Sequence, residues 1–140
     1  MIQKEKQLLL KDLCARQPWG VKVQYNNKVY AIDYVSAEYE EVKLNILDNY
    51  TVGISDIKPY LRPMSSMTDE EKKEYYETTD KYTHRLYPNS ADFSEHTEYS
   101  WTTDTFDFLN AHHLDYRGLL PMGLAIEVNK ENNPYEEINL

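Results

Sequence analysis

The sequence predicts an α+β fold: a small SH3-like β-barrel or bent antiparallel sheet, with an N-terminal helix and a C-terminal helical cover. Three observations carry this. Residues 18–63 hold short runs that alternate apolar and polar residues, broken by turn signals. Residues 1–17 and 101–128 instead repeat their apolar residues at helical spacing. A lone small sheet needs a cover to be stable, and these two pieces are the ones available.

The first helix runs from Lys4 to Arg16, with Leu8, Leu9, Leu13 and Cys14 on one stripe, and Pro18 ends it. Val21, Val23 and Tyr25 then alternate. Asn26-Asn27 is a hairpin turn signal, and alternation resumes through VYAIDYV. Tyr39 to Leu47 offers a third strand, with Val42, Leu44 and Ile46 on one face. Asp48-Asn49 turns the chain, and Tyr50 to Ile54 makes a fourth strand. Ser55 to Lys58 forms one turn, and Lys58 to Pro63 is extended, fixed by two prolines. Thr68 and Glu71 spell a capping box for a helix from Asp69 to Tyr82. Its face of Tyr75, Tyr76, Thr79 and Tyr82 is not aliphatic, so that helix is expected at the periphery.

Residues 84–100 lack periodicity and read as a loop. In the stretch from Trp101 to Val128, Thr102 and Thr103 are N-cap candidates. Asp104 and Asp107 suit the first turns, and Phe106, Leu109 and His113 share the packed face. Gly118 is read as the stop. Leu124 to Val128 reads as a short strand, and 129–140 as a polar tail. At 140 residues this is one domain, divided as 1–17 helix, 18–63 barrel, 64–83 linker and helix, 84–100 loop, 101–128 cover and 129–140 tail.

Charge is unevenly placed. Residues 1–63 carry nine Lys/Arg and eight Asp/Glu, giving +1, and residues 64–140 carry six and sixteen, giving −10; the sum is the net −9. Such a half repels nucleic acid and attracts a basic protein. No run reaches the ~20 apolar residues of a membrane span. The single Cys, Cys14, cannot form an intrachain disulfide and reads as a small packing residue. The expected compartment is cytoplasmic.

Catalytic and cofactor motifs are missing. Only four Gly occur, with no Gly-rich phosphate loop. Ser65 and Ser66 sit near a helix start, where capping explains them, and no nucleophile elbow surrounds them. His112 and His113 are adjacent, so on a helix they point about 100° apart and cannot easily grip one ion. One is expected on the packed face and the other near solvent. A metal site built from His112, His113 and Asp115 is the weaker alternative, and no cofactor is expected. Tyr60, Arg62, Tyr116 and Arg117 are of the types enriched at interface hot spots. Arg117 also suits a tie between loops and a carboxylate, and Arg62 suits solvent.

Three segments carry a resemblance: LLLKDLCARQPWGVKV (8–23), IKPYLRPMSSMTDEEKKEY (57–75) and FLNAHHLDYRGLLPMGLAIEV (108–128). Together they resemble a family of short uncharacterised proteins of gut Bacteroides-type bacteria and their phages and mobile elements. The resemblance spans Leu8 to Val128. It implies a bacterial or phage setting and no particular activity, cofactor or catalytic residue.

The function expected from the residues is a non-enzymatic protein-interaction module with a basic protein partner. Its candidate contacts are Tyr60, Arg62, Asp69, Glu70, Glu74, Glu77, Tyr116 and Arg117. The alternative is a nucleic-acid-linked accessory factor. It would bind a strand through Lys22, Lys28, Lys43, Lys58 and Arg62 with Tyr25, Tyr30 and Tyr34, or mimic DNA with the acidic half. A metal-dependent hydrolase is the weaker third reading.

Overall fold

The structure, a computed structural model, describes residues 1–45, 50–80 and 101–138. Helix α1 (Gln3–Arg16) is followed by strands β1 (Lys22–Tyr25), β2 (Lys28–Ser36), β3 (Glu41–Leu44), β4 (Val52–Gly53) and β5 (Lys58–Leu61). Helices α2 (Asp69–Thr78) and α3 (Thr103–Ala111) come next, and then the short strand β6 (Ile126–Glu127). The expected turn at Asp48-Asn49, the strand end at Ile46 and Leu47, Tyr82 and the 84–100 loop lie outside the described residues.

The strands form one sheet in the order β4-β3-β2-β1-β5-β6. It is an open, bent sheet, not a closed barrel. The β1–β2 hairpin turns at Asn26-Asn27, and both residues sit at positive φ (49° and 62°). Asn tolerates that conformation, and it matches the twist of the flanking strands. A register shift between Ile32 and Tyr34 bulges β2 at Asp33.

Two features depart from the sequence reading. The proline-flanked segment at 58–61 is a full strand, and it joins β1 to β6. Its pairing with β6 is parallel, so the sheet is mixed. A parallel pair needs a long crossover, and here that crossover contains both α2 and α3. The C-terminal cover is thus the connection that the last strand requires.

The principal core lies between α1 and the sheet. Leu9, Leu10 and Leu13 meet Val21, Val23, Val42, Leu44, Val52, Ile54, Ile57 and Leu61. Cys14 faces solvent, contrary to expectation. The helix instead buries Asp12 and Arg16 beside its leucines. Three residues past Leu13, Arg16 falls on the same face, and its four-residue spacing from Asp12 lets the two pair (2.8 Å).

A second core holds Met67, Tyr75, Leu109 and Leu114, with Trp101, Phe108 and Tyr116 packed around it. Helix α2 is therefore not peripheral. Tyr75 is fully buried, and its hydroxyl accepts the Trp101 indole N–H at 2.7 Å. The Thr102 and Thr105 hydroxyls both donate to the Thr78 carbonyl (2.7 and 2.9 Å). This binds the end of α2 to the start of α3, while Thr102 also caps α3. Of the proposed α3 face, Leu109 and His113 are buried and Phe106 is exposed.

Helix α3 ends at Ala111, with His112 as its C-cap and the reversal at His113, not at Gly118. His113 takes the left-handed conformation (φ 58°). Its N–H bonds the Asn110 carbonyl (3.2 Å), and the Leu114 N–H bonds the Leu109 carbonyl (3.0 Å). This is the Schellman closure, with His where Gly is usual. Gly118 lies in the following turn, also at positive φ.

The segment read as a polar tail contributes a third core, of Tyr60, Val128 and Tyr135. The Tyr135 hydroxyl donates to the Tyr60 carbonyl (2.7 Å) and accepts the Lys22 N–H (3.0 Å). Its ring stacks on His113, with centroids 3.7 Å apart and planes 9° apart. One side chain thus pins the C-terminal segment to two strands and to the end of α3.

Removing that hydroxyl strands two backbone groups where water cannot replace it. Tyr135→Phe should cost about 1–3 kcal/mol of stability. Glu136→Ala, one residue away and exposed, should stay within about 0.5 kcal/mol. Denaturant titrations of the two variants decide it; equal midpoints would mean that the tail is not anchored this way.

Candidate functional site

The site is built around Arg62, the residue after β5. Its guanidinium has five N–H donors, and five contacts take them. Nε donates to the Ser66 hydroxyl (3.2 Å). Nη1 donates to Glu71 Oε2 (2.8 Å) and to the His112 carbonyl (3.4 Å). Nη2 donates to Glu71 Oε1 (2.8 Å) and to the Ser66 carbonyl (3.1 Å). The expectation that Arg62 is solvated or available at a surface is therefore corrected: it is 2% exposed and fully engaged.

Glu71 is the other half of this pair. It lies in the first turn of α2, where the capping box places it. Oε1 also accepts the Thr68 N–H (2.8 Å), closing the cap. Oε2 is 3.0 Å from His112 Nδ1. The bidentate hydrogen bonds from Arg62 lower the Glu71 pKa to about 2, against the opposing effect of burial. The carboxylate is thus ionised, an anion held beside the His112 ring. The ring is half-buried, and its centroid lies 4.3 Å from that of Phe108.

These groups form one wall of a cleft of about 400 Å³. Glu70 and Glu74 of α2, Ala111 and His112 at the end of α3, and Glu137 and Ile138 of the C-terminal segment complete it. The cleft is acidic, with a short apolar floor. Asp69, Glu70, Glu74 and Glu77 are all exposed on α2.

His112 and His113 divide as expected, one half-exposed and one buried. They do not converge. His113 Nε2 is 3.1 Å from Glu137 Oε1, whereas His112 Nδ1 is beside Glu71. Burial, partly offset by Glu137, lowers the His113 pKa to about 4, so the ring is neutral. Asp115 is committed elsewhere, accepting the Leu119 and Leu120 N–H groups (both 2.9 Å). Among the described residues, no three His, Cys, Asp or Glu are placed to hold a metal ion.

The remaining candidates separate. Tyr60 is buried against Tyr135 and contributes no surface. Tyr116 and Arg117 stand together and line a cleft separate from the acidic one. Arg117 Nη1 donates to Asp12 Oδ1 (3.0 Å) and to the Tyr116 hydroxyl (2.8 Å), the loop tie expected of it. The basic and aromatic set proposed for strand binding is broken up. Arg62 is saturated, Tyr30 is buried against Tyr25, and Lys43 donates to the Leu44 carbonyl (2.7 Å). Sequence reasoning missed the use of Glu71 as the Arg62 partner, although its capping signal had already fixed its position. Ser66 was read as a cap; its hydroxyl serves Arg62 and donates to the Pro63 carbonyl (2.6 Å).

Glu71, His113 and Glu137 all have their pKa lowered on folding, so each makes stability fall at acid pH. Glu71 falls from 4.5 to about 2 on folding, so its contribution is whole above pH 4.5 and is lost as pH drops towards 2. His113 falls from 6.5 to about 4, so below pH 6.5 the unfolded chain takes the proton more readily. Stability should therefore decline from pH 6.5 downward and steepen below pH 4.5. Glu71→Gln should flatten most of the steepening in pH-dependent thermal melts, and an unchanged profile would show that the Arg62 pair does not control it. Compared with protein-family models, curated proteins and solved structures, the chain has no significant match.

Proposed function

We propose that this protein is a non-enzymatic interaction module that docks a basic protein partner at the acidic cleft beside α2. The observation that supports it is the division of labour among the carboxylates of that helix. Helix α2 carries five acidic residues and two lysines, a net of −3. Glu71 is consumed by Arg62. Glu70 and Glu74 point to the cleft, and Glu137 faces them from the C-terminal segment. A Lys or Arg side chain entering there would find carboxylates on two sides and aliphatic surface at Ala111 and Ile138 for its stem.

The setting we propose is a bacterial or phage and mobile-element system, as the sequence resemblance implies. No helix among the described residues is long and apolar enough to cross a membrane.

Charge-steered association is fast at low salt and falls steeply as the Debye length shrinks to about 8 Å at physiological ionic strength. An arginine-rich peptide is a usable probe. Its association rate should drop by at least about tenfold between low and high salt. Neutralising Asp69, Glu70, Glu74 and Glu77 together should slow it similarly at low salt, with the fold intact by circular dichroism. Glu71 is left in place because it holds Arg62. A salt-insensitive rate, or one indifferent to the four substitutions, would remove this reading.

A further inference from the structure

We infer a second binding site, independent of the first and opposite in charge, for a small planar aromatic anion. It is a cleft of about 450 Å³ lined by Leu8 and Lys11 of α1, Trp101 and Phe106 at the start of α3, and Tyr116 and Arg117 beyond it. That volume is at the small end of the range for ligand pockets, enough for one flat molecule and not for a polymer.

Its charge is unbalanced. Asp12 is the one carboxylate within ion-pair distance of Arg16 or Arg117 among the described residues, and it serves both (2.8 and 3.0 Å). Lys11 is exposed and has no ion pair among those residues. The lining itself holds two cations, Lys11 and Arg117, and no carboxylate, on a chain of net −9. Arg16 is fully buried, and its Nη1 has no hydrogen-bond partner. The Arg117 Nη2 and Nε have none among the described residues either. Excess positive charge held against protein, with donors unused, favours an anion.

The rest of the lining is aromatic. Trp101, Phe106 and Tyr116 contact one another edge to face, with centroids 5.5–5.9 Å apart. The Tyr116 ring lies under both guanidiniums, at 4.9 Å from Arg16 and 4.7 Å from Arg117. Phe106 is 37% exposed, unusual for its type, and presents ring surface to the cleft. A flat ring against Phe106 and Trp101 would place its anionic group towards Lys11 and Arg117. A nucleoside monophosphate and an aromatic carboxylate both have this chemistry.

The test uses the Trp19→Phe protein, in which Trp101 is the single tryptophan. Its fluorescence is followed on titration with adenosine monophosphate, benzoate, adenosine and inorganic phosphate. Saturable quenching is expected with adenosine monophosphate or with benzoate, and the tighter of the two identifies the anion. The uncharged ring and the ringless anion should each bind at least about tenfold more weakly, the factor a lost charged hydrogen bond gives. Lys11→Gln, on the exposed side of α1, should weaken binding severalfold with helix content unchanged. No saturable response to either aromatic anion would overturn the inference. So would adenosine or phosphate binding as tightly, or binding indifferent to Lys11→Gln.

Discussion

The fold depends on one buried guanidinium. Arg62 follows β5, and its backbone continues the ladder by bonding His113 and Asp115 (both 2.8 Å). Its side chain then holds the start of α2 through Glu71 and the end of α3 through the His112 carbonyl. The sheet, both crossover helices and the acidic cleft thus meet at one residue. Burying such an ion is favourable only if every donor is satisfied, because a single unmet one costs about 1–3 kcal/mol. All five are satisfied here, so the arrangement has little freedom to slip. A lysine offers three donors from a point charge and cannot reproduce the fork.

A second ionic knot lies on the other side of the same helical unit. Asp12 and Arg16 of α1 reach Leu114 (2.6 Å, from Arg16 Nη2) and Arg117, beyond the end of α3. The segment 112–117 is thereby gripped twice, by Arg62 through backbone and by Arg16 through a carbonyl and a ring. This explains how His113 is held in a left-handed conformation that costs a non-glycine residue on the order of 1 kcal/mol or more. The stacked Tyr135 ring and the bonds on either side over-determine it. The two knots differ in balance. Glu71 matches Arg62 charge for charge, while Asp12 is shared between two arginines. The first is structural closure; the second leaves charge over at a cleft.

Much of the fold was legible in the sequence, because it follows from local rules. The α1 helix, the Asn26-Asn27 hairpin, the Thr68–Glu71 capping box and the Thr102 cap each rest on residues within a few positions of one another. The open sheet and the mixed pairing were not legible, since β6 is two residues long and its partner lies 66 positions earlier. Nothing periodic marks a strand that short. Tyr135 was hidden by its neighbours: polar residues on both sides mask one ring that is buried. Tyr75 was misjudged because a tyrosine face reads as half-exposed, yet a Trp101 indole supplies the partner that lets its hydroxyl be buried. The acidic face was visible as charge, but not the cleft, which exists only once Glu137 is folded against α2.

The placement of the acidic face follows from these ties. Carboxylates in the first turn of a helix are favoured by its dipole, so Asp69, Glu70 and Glu71 stabilise α2 while concentrating negative charge at one end. Glu71 turns inward to Arg62, which fixes the rotation of the helix about its axis. That rotation aims Glu70 and Glu74 at the cleft, where Glu137 arrives on a segment fastened by Tyr135 and His113. Like charges so arranged repel one another, and the cost is met by the apolar packing of Tyr75 and Leu109 beneath. Carboxylates carried on backbone fixed in this way are already grouped, which lessens the ordering that a cation would have to impose. The rigidity that the Arg62 knot confers is therefore the property on which recognition at this cleft would rest.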